Sequence, residues 1–391
     1  MIRINSIKGN NFDTKKCLLR LDLNIPLSDT GEILDDTRII ESIPTINYLQ
    51  NQNAIIIIIS HIVRPKGKFV KDLSFSKIYK KIEKLMNKII HFIPFEEQNN
   101  INKILSKATA GEIYLLDNLR FNRGEEESNR KFIEFLSSFS DVFINDGFGT
   151  IHRNHSSITG IAKVLPSYGG ILLEKEINDI TECLRYSSNN SVAILGGAKI
   201  SDKIPIIENL SKSFNEIVIT GGMIRPFLIA SGKIVSDDLS NYTDEVRIAE
   251  KILKTNHKIY IPEQLVCSKN LNSEPTLLHC SQIKGQDNIY DIGPNSMMEI
   301  AEKILISDKI IWNGPPGVFE NKDFQLGTKT LIMSINQSES KIKVAGGGST
   351  IAAINHFNSS KNFTHISTGG GAFLSLLEGK LLEGIEVLKN E

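Results

Sequence analysis

The residues able to do chemistry stand just after short β-branched runs, and they differ between the two halves of the chain. In the first half they are cations. Arg20, with Asp22 and Asn24 close behind, marks one run; His61 and Arg64 follow a second, and Arg120 a third. Asp146, His152, Arg153 and His155 follow a fourth. Eight of the eleven arginines (Arg3, Arg20, Arg38, Arg64, Arg120, Arg123, Arg130 and Arg153) precede residue 170. Arginine's planar fork suits two-point capture of carboxylate or phosphate, which lysine does less well. A single loop arginine is more often a surface ion pair. Arginines after three strands, two with histidines beside them, point instead to a small polyanion. Arg3, Arg123 and Arg130 read as surface charge, and Glu125, Glu126 and Glu127 as a solvated helix start. Cys17 and Trp312 read as packing residues.

In the second half the strand ends carry glycine. Gly346, Gly347 and Gly348 precede Ser349 and Thr350; Gly369, Gly370 and Gly371 precede Ala372; Gly196 and Gly197 precede Lys199 and Lys203. Glycine lets backbone N–H groups approach an anion, and an adjoining helix start adds a favourable dipole. Lys199 and Lys203, four apart, are expected on one face of a helix start, where they can neutralise phosphate. One such loop would be only a tight turn. Three of them, one with paired lysines, point to a nucleotide site, although neither G-x-x-x-x-G-K-[ST] nor a strand-following G-x-G-x-x-G is present. One half that grips a polyanion and one that grips nucleotide phosphates together imply phosphoryl transfer across a cleft.

Elements must hold these residues in place. Strands are expected at 18–23, 54–60, 113–116, 142–145, 192–195, 217–220, 258–261, 309–311, 343–345 and 365–368. Helices are expected at 42–50, 76–88, 129–139, 171–186, 203–210 and 244–254. The run Ala54 to Ile59 is apolar without alternation, as in a strand buried on both faces of a parallel sheet. This βαβα rhythm predicts an α/β fold of doubly wound parallel sheets, with ligands at the carboxyl ends of the strands. A chain of 391 residues is too long for one core and predicts two domains. The turn signal around Pro166, Gly169 and Gly170 places the boundary near residue 170, giving domains 1–170 and 171–391, with helix 171–186 as connector.

Composition bounds the partners. Forty per cent apolar and 23% charged residues make an ordinary globular mix, and 45 basic residues balance 45 acidic ones. That neutrality excludes a global pull toward nucleic acid or a membrane surface. It hides an asymmetry: residues 1–170 carry 23 basic and 19 acidic residues, a net of +4, and the remainder a net of −4. Cys17, Cys183, Cys267 and Cys280 are scattered, which argues against a disulfide framework or a zinc cluster. The longest apolar run falls far short of the roughly 20 residues that span a bilayer. No apolar signal-peptide core opens the sequence, so a cytoplasmic protein is expected.

The ordered segments RLDLNIP at 20–26, DDTR at 35–38, SHIVRPKG at 60–67, NLRF at 118–121 and NDGFGT at 145–150, with His152 and Arg153, carry a family resemblance. So do LGGAKISDKI at 195–204, DIGP at 291–294, WNGPPGVFE at 312–320 and STGGGA at 367–372. From about residue 5 to the last helix the chain resembles the phosphoglycerate kinases. The resemblance implies two Rossmann-like domains joined by a helix and hinge, a C-terminal tail packed back on the first domain, and a monomer. It implies reversible phosphoryl transfer from 1,3-bisphosphoglycerate to ADP, giving 3-phosphoglycerate and ATP, with Mg²⁺. By motif match Asp22, Asn24, Arg38, His61, Arg64, Arg120 and Arg153 would hold the 3-phosphoglycerate end. Arg38 and Lys199, with Gly347 and Gly370, would serve the transferring group. Lys203, Gly221, Gly222, Asn313, Glu320, Gly347, Gly348, Ser349 and Thr350 would hold the nucleotide.

Departures from the family pattern gather in the nucleotide half. Ser349 stands where the family carries the aspartate that coordinates the nucleotide's metal, so no protein carboxylate is expected there. The stretch TGGMIRPF at 220–227 alters the adenine-side wall and puts Arg225 beside it. Val63 replaces a glycine, and Phe373 and Ser375 alter the helix after the last glycine loop. Two readings follow: an active kinase with altered metal use, or a catalytically weakened relative that binds metabolite or nucleotide.

Overall fold

The computed structural model describes residues 2–28, 30–234, 243–255 and 258–389. The chain divides into two compact units, Met1–Asn178 together with Leu381–Glu391, and Asp179–Lys380. The division falls inside the helix Ile171–Arg185 rather than at residue 170. That helix serves two masters. At its start Leu173 N donates to Asp146 Oδ1 (3.0 Å) and Ile171 N to Thr45 Oγ1 (2.9 Å), within the first unit. Further along, Asp179 pairs with His365 (3.1 Å), within the second.

The first unit is built on a six-stranded parallel sheet, in the order His91–Ile93, Ile113–Leu116, Ile55–Ile59, Lys16–Arg20, Val142–Asn145, Ser167–Gly169. Ile55–Ile59 is buried along its whole length. Successive side chains point to opposite faces of a strand. Accordingly Ile56 and Ile58 enter one apolar core, and Ile55, Ile57 and Ile59 enter another. Each such isoleucine contributes about 1.5–3 kcal/mol of apolar burial. The two edge strands, His91–Ile93 and Ser167–Gly169, are three residues each and carry too little pattern to be read from sequence. The segment 381–389 closes this unit: Asn5 N donates to Leu388 O (2.7 Å) and Gly384 N to Ile151 O (3.2 Å).

The second unit holds another six-stranded parallel sheet: His365–Ser367, Ile342–Gly346, Lys309–Asn313, Ser191–Leu195, Glu216–Ile219, Ile259–Tyr260. Numbered in chain order within the sheet, these strands run 6-5-4-1-2-3. That is the doubly wound arrangement whose order reverses between its first and fourth strands, where ligands bind. A separate antiparallel sheet, Thr276–His279, Gln264–Ser268, Asn288–Ile292, belongs to the same unit and was not expected. No helix among the described residues is long and apolar enough to cross a membrane.

Candidate functional site

In the first unit the carboxyl ends of the central strands gather the expected cations. Lys16–Arg20 stops at Arg20, so Asp22 and Asn24 lie in the loop beyond it. Arg38, second residue of the helix Thr37–Gln50, pairs with Asp22 (3.1 Å) and donates to Asn24 O (2.7 Å). Asn24 in turn accepts from Val63 N (2.9 Å), tying this loop to the one after Ile55–Ile59. Val63 sits at φ +54°, a left-handed conformation that a β-branched residue adopts only under strain. Arg64 beside it is exposed.

His61 is buried and accepts at Nδ1 from Arg20 Nη2 (3.0 Å). Since arginine only donates, the proton of the neutral ring lies on Nε2. Burial, and then Arg20, Arg120, Arg153 and Arg38, hold the His61 pKa well below the usual histidine range. Arg120 is buried too, in the turn Leu119–Phe121. Its Nη1 donates to Val63 O (2.8 Å) and its Nε lies 3.4 Å from Glu126, while Nη2 has no hydrogen-bond partner. Desolvation lowers its pKa to about 10, which leaves it charged at neutral pH. Arg153 is half-buried, and His152 Nδ1 next to it is buried without a partner. Asn24, Arg38 and Val63 also line a cavity of about 970 Å³ with Lys77 and Lys81. His61, Arg64, Arg120 and Arg153 are not on that lining, so the cavity shares only Asn24 and Arg38 with the expected anion-binding set.

Behind His61 lies a network that sequence reasoning missed. Arg20 is buried and donates through Nε to Ser157 Oγ (3.0 Å). Ser157 Oγ donates to Glu125 Oε1 (2.6 Å), and Ser157 N to Glu125 Oε2 (3.0 Å). Glu125 is therefore the buried counter-ion of the cluster, not part of a solvated helix start. Its carboxyl is raised by burial and lowered by Arg20. The expectation failed because three consecutive acids read as surface, and only the fold shows that the first turns inward. Arg123 and Arg130 do stay at the surface, pairing with Glu127 and Glu134.

In the second unit the glycine loops meet at the point where strand order reverses. Gly196 N donates to Asn313 O (2.7 Å), and Gly314 N to Thr350 Oγ1 (2.8 Å). Asn313 Nδ2 donates to Gly346 O (2.7 Å), and Lys203 Nζ reaches Asn313 Oδ1. Gly314 has φ +96°, and a Cβ there would lie 2.5 Å from Gly196 O. Gly347 has φ +103°, and its Cβ would meet Asn313 Nδ2 at 2.4 Å. Both positions demand glycine on two counts. Gly221 and Gly222 close against the backbone of Gly197 and Ala198. Trp312 is fully buried, and its indole N–H on Gly314 O (2.8 Å) braces the turn.

Two expectations change here. Lys199 and Lys203 do not share a helix face, because the helix Ile204–Leu210 begins only after Lys203. Lys199 is exposed in the preceding turn, whereas Lys203 is buried against Asn313. The polar alternation of 199–203 mimicked a helix, but Pro205 in the first turn sets the start. Arg225 is also buried, its guanidinium on Asp287 O rather than open to a ligand. Thr350 spends its hydroxyl on Gly314, so backbone N–H is what it can offer an anion. Ser349 and Gly348 are exposed in the first turn of the helix Gly348–His356, which suits phosphate. Gly370 has φ +39° before the helix Gly371–Leu377, and Glu320 is exposed.

Comparison with known proteins accords with this geometry. The family model described as phosphoglycerate kinase matches residues 7–380. Phosphoglycerate kinase from Borrelia turicatae is 38% identical over 392 residues, covering 99% of both chains. The Fervidobacterium nodosum protein of that name is 37% identical, covering 97% of each chain. The solved phosphoglycerate kinase of Coxiella burnetii superposes with a TM-score of 0.86 at 31% identity, covering 99% of each chain. Its side-chain cluster, its glycine loops and these likenesses together make this chain a member of the phosphoglycerate kinase family.

Proposed function

We infer that the chain carries out reversible phosphoryl transfer between 1,3-bisphosphoglycerate and ADP, with the first unit holding the acid and the second the nucleotide. The observation that carries the residue assignment is the buried Arg120 guanidinium with an unpartnered Nη2, beside the neutral His61 and half-buried Arg153. A desolvated charge with a free donor is costly unless an anion completes it. Arg64, Arg120 and Arg153 take the phosphate and carboxylate of 3-phosphoglycerate, and His61 donates from Nε2. Asp22 and Asn24 position Arg38 and the glycerate hydroxyl.

With ATP as donor, the glycerate carboxylate attacks the γ-phosphorus, the new O–P bond forms and the bond to the β-phosphate oxygen breaks, releasing ADP. Towards ATP, the β-phosphate oxygen of ADP attacks the acyl phosphate and the carboxylate leaves. Such a reaction needs positioning and charge neutralisation more than a protein nucleophile. Arg38 and Lys199 neutralise the group in transfer. Gly347, Gly348, Ser349, Thr350 and Gly370 offer backbone donors to nucleotide phosphates, Lys203 and Asn313 steady these loops, and Glu320, Gly221 and Gly222 line the nucleoside. Magnesium, when bound, screens phosphate charge. The first turn at Gly348 offers the neutral Ser349 in place of a carboxylate, so nucleotide oxygens and water, with no protein carboxylate at that position, would hold the ion.

A coupled assay of 3-phosphoglycerate phosphorylation by ATP tests this reading. The wild type should turn over with Mg²⁺, and Ser349→Asp should raise kcat about tenfold by adding a metal ligand. A wild type without turnover over background would overturn it.

A further inference from the structure

The antiparallel sheet of the second unit brings together three side chains that the phosphoryl-transfer chemistry does not use. Gln264–Ser268 and Thr276–His279 pair so that Gln264 faces His279, and Cys280 N donates to Glu263 O (2.7 Å) one step further on. The chain then enters the turn Cys280–Gln282, which brings the His279 ring back over the strand end. As a result Glu263 Oε2 lies 3.3 Å from His279 Nε2 and 3.9 Å from Cys280 Sγ. The third side of this triangle, Sγ to Nε2, is also 3.9 Å. Among the described residues it is the one group of three or more His, Cys, Asp or Glu side chains close enough to share an ion.

We propose that Glu263, His279 and Cys280 form a binding site for a divalent transition-metal ion of the zinc type, with a fourth position open to solvent. The triangle has the size such an ion needs. Zinc bonds of about 2.3 Å to sulfur and about 2.0–2.2 Å to nitrogen and oxygen, at tetrahedral angles, set ligand–ligand edges of roughly 3.4–3.6 Å. The three observed edges come within a few tenths of an ångström of that.

The surroundings orient each ligand. Lys233 holds the other carboxylate oxygen, Oε1, leaving Oε2 to a cation. Ser281 Oγ (2.8 Å) and Ser281 N (3.4 Å) both lie on the Nδ1 side of the His279 ring, which fixes the ring with Nε2 turned to the Glu263 carboxylate. On binding, the ring takes the tautomer that has Nδ1–H facing Ser281 Oγ and Nε2 on the ion. Cys280 is buried, and burial followed by the Glu263 charge keeps its thiol protonated in the absence of a cation. Binding therefore forms a metal–thiolate bond, breaks the S–H bond and releases that proton to solvent. His279 and Glu263 are about half-exposed, which gives the ion its path in and its water ligand. The scattered cysteines of the sequence argued against a zinc cluster, and the proposed site departs from that expectation. One cysteine is completed by a histidine next to it and a glutamate across the sheet.

The test is a titration of the whole chain, reduced, chelator-treated and free of nucleotide, with Co²⁺. One equivalent should produce tetrahedral ligand-field bands and a thiolate-to-cobalt charge-transfer band, both bleached by Zn²⁺. Cys280→Ser should abolish the charge-transfer band, and His279→Ala should weaken binding at least about tenfold. Cys267→Ser should change neither, since Cys267 lies outside the triangle. No thiolate band at one equivalent, or a band that survives Cys280→Ser, overturns the proposal.

Discussion

The two units present anion-binding groups by opposite means. The first builds its site from side chains: Arg20, His61, Arg120 and Arg153 come from four strand ends, Arg38 from a helix start, and Glu125 balances them from below. The second builds its site from backbone, with Gly196, Gly314 and Gly347 packed so closely that a Cβ has nowhere to go. A site made of side chains is sensitive to which side chain stands at each position. A site made of backbone tolerates side-chain change so long as the glycines remain. This difference accounts for the distribution of departures from the family pattern. Ser349 varies the rim of the second site, while its positive-φ glycines and the cations of the first are kept.

The contrast can be broken at either end. The largest effect expected is for Arg38→Ala, which removes a charge at the transferring group. It should lower kcat by about 10³-fold or more while leaving the nucleotide Kd within a few-fold, as read by steady-state kinetics and calorimetry. A comparable loss of nucleotide affinity would contradict its assignment to the acid side. Gly347→Ala tests the other unit. A methyl 2.4 Å from Asn313 Nδ2 on a φ of +103° should weaken nucleotide binding about 10²-fold and cost about 2 kcal/mol of stability. Unaltered nucleotide affinity there would sink the idea of a backbone-built site. The smallest effect sharpens the comparison: Val63→Gly should relieve left-handed strain and stabilise the chain by about 1 kcal/mol in denaturant unfolding, with the KM for 3-phosphoglycerate nearly unchanged.

Much of this is legible in the sequence alone. Fully apolar strands such as Ile55–Ile59 announce themselves because a parallel sheet buries both faces, and functional loops follow strand ends by topology. What escaped was whatever depends on partners distant in sequence. Glu125 needed Ser157 and Arg20 to draw it inside. The strand Thr276–His279, largely exposed, had no apolar run to betray it. Lys199 and Lys203 carried the right charges but a helical spacing that Pro205 overrides. Local pattern thus marked where charge would act, and long-range contacts decided how it is held.

One feature of the architecture bears on the order of events during synthesis. The strands that carry the arginines are made first, yet their unit is closed by residues 381–389, through the bonds from Asn5 to Leu388 and from Gly384 to Ile151. Residues 179–380 must leave the ribosome before those closing contacts exist. The first unit is thus begun first and finished last, its seam closable only after the continuous stretch of the second unit has been made.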